Sequence, residues 1–499
     1  MFQLKMKEKK LRKLLSVTPK QDAIEAFWVL DQARMNPEFS PPANFDYPRE
    51  FLFAKITEPG AIHSWEIETL ITELFATPFR QLNRTLNVRS WQAIASLFNC
   101  LRKVEDLQSG KRPEGRIFDE LTRILYRQLS WQVHSKPNAA DAVRWWSIMR
   151  SEPLEQIFLQ RNGVSVTSFI KLALTWNQIL NDGMYSSDIT TTANFGTSAN
   201  DVLKVTEMLS TTNLELEGSC RPIKNQSAEL AYRNSPLRQK PVIRFSRGGK
   251  NIYVRPIEQL MQWRFTSGLY YDVIGDPGAP NLIGEQFEKY VKRLCFAAFK
   301  NQEVIGDYNY GTDTHPKMSP DVLVSVGGML SLIIECKSRK ASLAIQQSLE
   351  FDAIRKATIS ELAKGIEQLN KFYEFVTSGQ DANFSADVNL PKLLVTLDDW
   401  VFVGSNVREE IEAVAVELAH RYHLRSPKEL ASVVFCTAVE LDQLVSSFEF
   451  ETILEIIQLA STEKFRTHRL FDVGRQNFRE KMRHPNYPLK EEMDNLLGL

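Results

Sequence analysis

Ser319-Pro320-Asp321-Val322-Leu323-Val324-Ser325-Val326-Gly327-Gly328-Met329-Leu330-Ser331-Leu332-Ile333-Ile334-Glu335-Cys336-Lys337 is the stretch on which the reading of this chain turns. Two apolar, β-rich runs, Asp321 to Val326 and Met329 to Cys336, flank a glycine pair, which predicts two antiparallel strands joined by a turn. The second run is apolar on both faces, as in a central buried strand, yet it ends on a carboxylate and an ammonium. Side chains alternate along a strand, so Glu335 and Lys337 share one face and Cys336 takes the other. Charges at the end of a buried strand are costly unless they pair or bind a metal ion.

The glycine pair sets a geometric condition. With a two-residue turn and unbroken pairing, Val326 faces Met329 and Asp321 faces Ile334, which leaves Asp321 on the opposite side of the sheet from Glu335. Asp321 joins Glu335 only if the loop has an odd length or one strand carries a bulge, and an odd-length loop or a bulge is therefore predicted here.

Working outward, a helix is expected over Leu282 to Phe299, carrying Glu288, and a helical region over Leu343 to Val376. Strands are expected at Lys392 to Leu397 and Ser432 to Phe435, with a helix between them over Arg408 to Tyr422. Strands alternating with helices imply a partly parallel sheet with helices on both faces. Upstream, Pro241 to Phe245 and Asn251 to Val254 read as a hairpin closed at Gly248-Gly249, followed by a helix over Ile257 to Tyr271.

The chemistry these residue types suit is metal-assisted phosphodiester hydrolysis. Two carboxylates can hold a hard, octahedral Mg2+ that keeps several waters. A lysine can orient or help deprotonate the attacking water and balance charge on the phosphate. Asp321 and Glu335 supply the carboxylates, Lys337 the ammonium, and Glu288 a further acid. The set resembles the PD-(D/E)XK, or restriction-endonuclease-like, nuclease superfamily on Pro320-Asp321, Glu335-Cys336-Lys337 and the helix-borne Glu288, over roughly residues 280 to 440. The resemblance implies Asp321, Glu335 and Glu288 as metal residues and Lys337 as the residue that assists water. It implies Mg2+ as cofactor, with Mn2+ as a substitute, and nucleic acid as substrate, with DNA favoured over RNA. Members often carry a glutamine on the following helix; Gln368 fits loosely, with Gln346 and Gln347 as rivals nearer in sequence. His315, ahead of Pro320-Asp321, is a further candidate substrate contact from a loop, and Asp313 a possible extra acid.

The expected fold class is α/β: an N-terminal helical domain, a restriction-endonuclease-like core with a central mixed sheet flanked by helices, and a helical C-terminal tail. The expected divisions are a helical recognition or regulatory domain over 1–235, a hairpin-and-helix connector over 236–280, the nuclease-like domain over 281–440, and a C-terminal extension over 441–499. Helices in the first segment are expected at Ala23 to Ala33, Trp65 to Ala76, Trp91 to Leu107, Arg116 to Gln132 and Asn138 to Met149. A long loop is expected at Ser186 to Asn200. The large helical part is more than catalysis needs, which suggests a sensor or protein partner and, by analogy of architecture, a regulated role in bacterial or phage defence. The alternative reading is a catalytically inactive subunit that uses the same fold to bind nucleic acid or a partner protein.

Bulk properties bound these readings. The chain has 499 residues, 43% hydrophobic and 24% charged, which is ordinary for globular domains. Its 61 basic and 61 acidic side chains balance, so any grip on nucleic acid requires positive charge localised on one face. Five cysteines without a C-x-x-C pair suggest neither a zinc site nor a disulfide framework, and the expectation is reduced thiols in a cytoplasmic protein without a membrane span. Gly248-Gly249-Lys250 reads as a turn and not as a phosphate loop. His420 and His423 lack a third ligand, and Asp398-Asp399 reads as a strand-end turn. The basic residues of the tail, Lys464 through Arg483, and those of Lys5 to Lys13 read either as solvated faces or as phosphate contacts. Trp91, Trp131, Trp145, Trp146 and Trp176 read as core.

Overall fold

Long apolar strands without polar alternation are buried only between two covering layers, and the second half of the chain builds such a stack. The computed structural model describes the chain apart from residues 1, 37, 42–46, 54–60, 81–84, 110–130, 132–138, 187–196, 225–228, 313–314, 339–350, 398–404, 422–432 and 498–499. Asp313, Gln346, Gln347, Asp398, Asp399 and His423 therefore lie outside the described residues, as do most of the expected helix Arg116 to Gln132 and most of the loop after Ser186. The protein is mixed α/β and divides into two compact units.

The first unit comprises the described residues of Met1–Asn138 and Glu155–Val273. Its helices include Lys20–Met35, Ser64–Ala76, Trp91–Ser109 and Val166–Asp182, and their apolar faces meet in a core holding Phe27, Trp28, Leu70, Leu97 and Phe98. The same core takes in Ile243 and Val254 from a three-stranded sheet of Ser210–Thr212, Val242–Arg247 and Lys250–Val254. The hairpin turn sits at Gly248-Gly249, both with positive φ. The single helix expected over Ile257 to Tyr271 is two, Glu258–Phe265 and Leu269–Val273. Gly268 causes the break: its N–H donates to the Trp263 carbonyl, and a Cβ there would lie 2.8 Å from that oxygen.

The second unit comprises Ala139–Leu154, Ile274–Ile345 and Glu350–Leu499. The helix Ala139–Met149, read from sequence with the N-terminal helices, groups with this unit, as does the C-terminal tail. Its sheet uses β1 (Glu303–Gly306), β2 (Val322–Val326), β3 (Met329–Lys337), β4 (Ser385–Ala386), β5 (Lys392–Thr396) and β6 (Val433–Thr437), in the order β6-β5-β3-β2-β1 with β4 beside the start of β3. The pairs β1/β2 and β2/β3 are antiparallel, whereas β3/β5 and β5/β6 are parallel. Parallel neighbours need crossovers, and α2 (Phe351–Thr377) and α3 (Ser405–Arg421) lie between those strands in sequence. Leu323, Ile333, Leu394 and Phe435 pack with Ile366, Leu369 and Ile411 from these helices. The helices α1 (Ala279–Ala298) and α4 (Ala438–Ser447) also pack on the sheet.

Strands sequence reading missed are short. Glu303–Gly306 is one, and Asn309–Thr312 paired with His315–Met318 forms a separate ribbon. His315, read as a loop residue, therefore stands at the start of a strand opposite Thr312.

Candidate active site

The turn between β2 and β3 is a two-residue one. Val326 pairs with Met329, and Gly327 and Gly328 have φ of 57° and 78°, the left-handed conformation at both centres that a type I′ turn requires and glycine adopts without strain. The odd-length loop is thus absent, and the second option realised. Pairing runs Ser325↔Leu330, then jumps to Val324↔Leu332, so Ser331 is an extra residue in β3. That bulge shifts register by one. Val322 then faces Ile334, and Asp321, one step further, falls opposite Glu335 on the same side of the sheet.

Glu335 is buried at 2% exposure. Its Oε1 accepts a hydrogen bond from Lys337 Nζ at 2.6 Å, and the same ammonium donates to Gln368 Oε1 at 2.9 Å. Gln368, on α2, is thus the glutamine brought to the lysine. Asp321 Oδ2 accepts the Cys336 backbone N–H at 2.6 Å, which ties the end of β2 to β3 beside the two charged side chains. The helix α2 approaches closely because residue 365 is glycine: a Cβ there would lie 2.7 Å from Leu394 Cδ1 and 3.0 Å from Lys337 Cε.

Glu288 comes from α1, near enough that its charge and those of Asp321, Glu335 and Lys337 act on one another. Gly284, one turn earlier, sits against Ser338 Oγ just past β3. The helix is anchored two residues beyond Glu288, where the buried Tyr290 hydroxyl donates to Asp442 Oδ1 at 2.5 Å and lies 3.0 Å from the Tyr487 hydroxyl. Asp442 in turn pairs with the buried Arg144.

Three carboxyl groups share this site with one ammonium. Burial, then the neighbouring Asp321, pushes Glu335 from its usual 4.5 up to about 8. Burial, with Asp321 next, pushes Glu288 up to about 7. Burial likewise raises Asp321, against the opposing pull of the Cys336 N–H and Lys337. For Lys337 burial alone acts downward, but Glu335 and Asp321 outweigh it and its pKa is raised, so it remains an ammonium at neutral pH. All four move upward, as expected where buried negative charge exceeds the positive charge available to balance it.

Glu335 Oε2 is buried and has no hydrogen-bond partner among the described residues. A buried carboxylate oxygen left alone is costly, and a cation is the partner that satisfies it. The donors at hand are hard oxygens, which suit Mg2+. Among the described residues, no group of three or more His, Cys, Asp or Glu side chains is arranged to enclose a metal ion. Mg2+ is also bound outside closed protein cages, by one or two carboxylates with water and a substrate phosphate. Asp321 and Glu335 fit that role.

Sequence reading missed three contributors. Asp307 is exposed just after β1, and its charge raises both Asp321 and Glu288. Gly365 and Gly306 act by lacking a side chain; Gly306 receives the Lys292 chain, since a Cβ there would lie 3.1 Å from Lys292 Cε and closer still to Nζ. A glycine between apolar positions of a helical or strand pattern is the only signal the sequence offered for either. The position of His315 in its strand is known but its side chain is not described.

The remaining candidates take bland places. All five cysteines are free and buried, Trp131, Trp145, Trp146 and Trp176 are buried, and His420 is exposed at the end of α3. No helix among the described residues is long and apolar enough to cross a membrane. No protein-family model, curated protein or solved structure matches the chain.

Proposed function

We propose that the second unit is a Mg2+-dependent nuclease that hydrolyses phosphodiester bonds of nucleic acid, with Asp321 and Glu335 holding the metal. The observation that carries this reading is the Ser331 bulge. It places Asp321 opposite Glu335 on one face, where Lys337, Gln368 and Glu288 converge and Glu335 Oε2 lacks a partner among the described residues. A random Glu-x-Lys has no reason to recruit a second carboxylate through a register shift.

Bound Mg2+ supplies a Lewis acid for the phosphate and lowers the pKa of water. The chain's own residues do the rest. Lys337 stays protonated, held by Glu335 and Gln368, so its role is to orient the attacking water and offset charge building on the phosphate, and not to take the proton. Glu288, which holds its proton to about pH 7, is the side chain best matched to accept one at neutral pH. Gln368 fixes the direction of the ammonium.

Incubation of plasmid, linear DNA and RNA with the full chain tests this, with and without Mg2+, for the wild type and Lys337→Ala. Metal-dependent cleavage that Lys337→Ala loses is the expected result. A folded wild type that cleaves none of the three would overturn the nuclease reading in favour of an inactive nucleic-acid or protein-binding subunit. DNA is the favoured substrate on the resemblance alone.

A further inference from the structure

A chain with balanced charge must gather its cations locally to hold a polyanion, and the sequence offered the C-terminal tail as one place for this. The structure neutralises most of that tail. Arg466 lies 3.7 Å from Glu412, Arg469 3.6 Å from Glu440, Arg475 3.1 Å from Asp472 and Lys481 2.6 Å from Glu455, and Arg483 pairs with Glu449.

The outer face of α1 is different. Lys289 and Lys292 are exposed on it, Lys300 is exposed just past its end, and none of the three forms an ion pair with a described residue. Phe296 stands among them at 71% exposure, an unusual place for a phenyl ring. At 100° per residue, positions 289, 292 and 296 lie within one side of the helix, and Lys292 is one turn beyond Glu288. The alkyl chain of Lys292 rests across the bare Gly306, the last residue of β1, beside Asp307 and within the same edge of the sheet as Asp321. Glu285 is the exposed carboxylate on the other side of Glu288, and Asp307 the one nearest Lys292; neither is paired with these lysines.

We propose that this face, Lys289, Lys292, Phe296 and Lys300, takes the nucleic-acid strand as it runs away from the scissile phosphate, with the lysines on phosphates and Phe296 stacked on an unpaired base. The proposal rests on the nuclease reading for the position of the scissile phosphate. A rise of 1.5 Å per residue puts Lys292 about 6 Å, and Phe296 about 12 Å, along the axis from Glu288, a spacing on which successive phosphates and bases of one extended strand can be met. An aromatic ring among lysines is the combination that single strands use, because every base has a face to stack on. Gly306 has a role in this: it leaves room for the Lys292 chain and its ammonium to lie over the strand end, next in sequence to Asp307.

The test measures binding of a fluorescein-labelled mixed-sequence single strand to the full chain, with Ca2+ in place of Mg2+, as salt is varied. Lys289→Ala, Lys292→Ala and Lys300→Ala are each expected to raise Kd roughly threefold to tenfold at low salt and to flatten the salt dependence by about 0.7 per lysine. Phe296→Ala is expected to weaken binding roughly fivefold or more without changing the salt slope. Gly306→Ala, whose φ is ordinary and whose Cβ meets the flexible Lys292 chain, moves the ammonium without removing it and should raise Kd with the salt slope nearly unchanged, an effect absent in the Lys292→Ala background. The paired Lys481→Ala serves as control and should leave the slope unchanged. Cleavage is read in parallel. If the wild type cleaves but the α1 variants bind and cleave as it does, the face is wrong and the nuclease stands. If the wild type binds through the face yet never cleaves, the nuclease reading falls and the face stands. A wild type that neither binds nor cleaves overturns both.

Discussion

Replacing Glu335 with Gln removes one charge and keeps the shape, and two opposite consequences follow. Glu335 is fully buried and its pKa rises from 4.5 to about 8 on folding. A raised carboxyl prefers to be neutral in the native state, so its contribution is fully present below about pH 4.5 and is lost as pH climbs to about 8. Each pKa unit corresponds to about 1.4 kcal/mol, so the full shift, in which the pull of Lys337 is already counted, sets an upper bound of about 5 kcal/mol; relaxation of the site and entry of water on ionisation reduce this to about 2 kcal/mol. Glu335→Gln never ionises, and its amide oxygen still accepts from Lys337. Above pH 8 and without metal, the variant should therefore be more stable than the wild type by about 2 kcal/mol, or about 4–8 °C for a unit of this size. At pH 5 the two should melt together. Mg2+ narrows the gap and, near 100 times its Kd, reverses the order: a ligand at 10 to 100 times its Kd stabilises the folded state by about 1.4–2.7 kcal/mol, available to the wild type and lost to the variant. Thermal melts at pH 5 and pH 9, each with EDTA and with Mg2+, read all four values. A Glu335→Gln protein that is less stable than the wild type at pH 9 without metal, or that melts higher with Mg2+ as the wild type does, refutes the reasoning.

Lys337→Ala should reduce metal-dependent turnover by about 100-fold or more, as loss of a charge-stabilising group does, while circular dichroism remains that of the wild type. Because Glu335 holds its proton up to about pH 8, Mg2+ binding must displace it; Mg2+ affinity should rise between pH 6 and pH 8 and then level. Titration calorimetry in two buffers of different ionisation enthalpy should register the released proton. Gly365→Ala sets a methyl against Leu394 and Lys337, and should cost about 1–3 kcal/mol in chemical denaturation and lower turnover, whereas the same change at the solvent-facing Gly218, whose Cβ would meet nothing, should do neither.

Part of this site could be read from the chain because a strand has a side-chain period of two: Glu335 and Lys337 could only share a face. The hairpin was legible for the same kind of reason, since two adjacent glycines in an apolar run serve few purposes other than a turn with positive φ. The bulge could be required but not located, as Ser331 has no propensity that distinguishes it from a paired residue; only the mutual fit of the strands and helices fixes where the extra residue goes. Gln368 could not be separated from Gln347, because choosing between them needs the path of residues 339–350 and not their composition. Asp307 was invisible as a site residue because it acts on Asp321 and Glu288 from just past a strand too short to read, and the seat of Lys292 on Gly306 depends on a missing side chain. The four-residue strands fell below the length at which an alternation pattern can be told from chance.

The bulge sets the register of β2 against β3, and moving that register tests its importance most directly. Deleting Ser331 does not move it: the extra residue goes, Ser325↔Leu330 and Val324↔Leu332 become consecutive pairs, and Asp321 stays opposite Glu335. An alanine inserted between Ile333 and Ile334 does move it. The pairs from Val326↔Met329 to Leu323↔Ile333 are kept, Val322 then meets the new alanine, and Asp321 falls opposite Ile334. The conflict falls either on Asp321, which leaves the face of Glu335, or on Glu335 and Lys337, which would have to leave α2 and Gln368. Apolar residues on both faces of β3 make either inversion tolerable to the core, at about 1–3 kcal/mol of misfit. Two carboxylates on opposite faces cannot hold one ion. Both variants should keep strand and helix content by circular dichroism and melt cooperatively. The deletion should still show a Mg2+-induced rise in melting temperature, whereas the insertion should show neither that rise nor cleavage. A folded insertion variant that still gains stability from Mg2+ would mean that the register of β2 against β3 does not create the metal site.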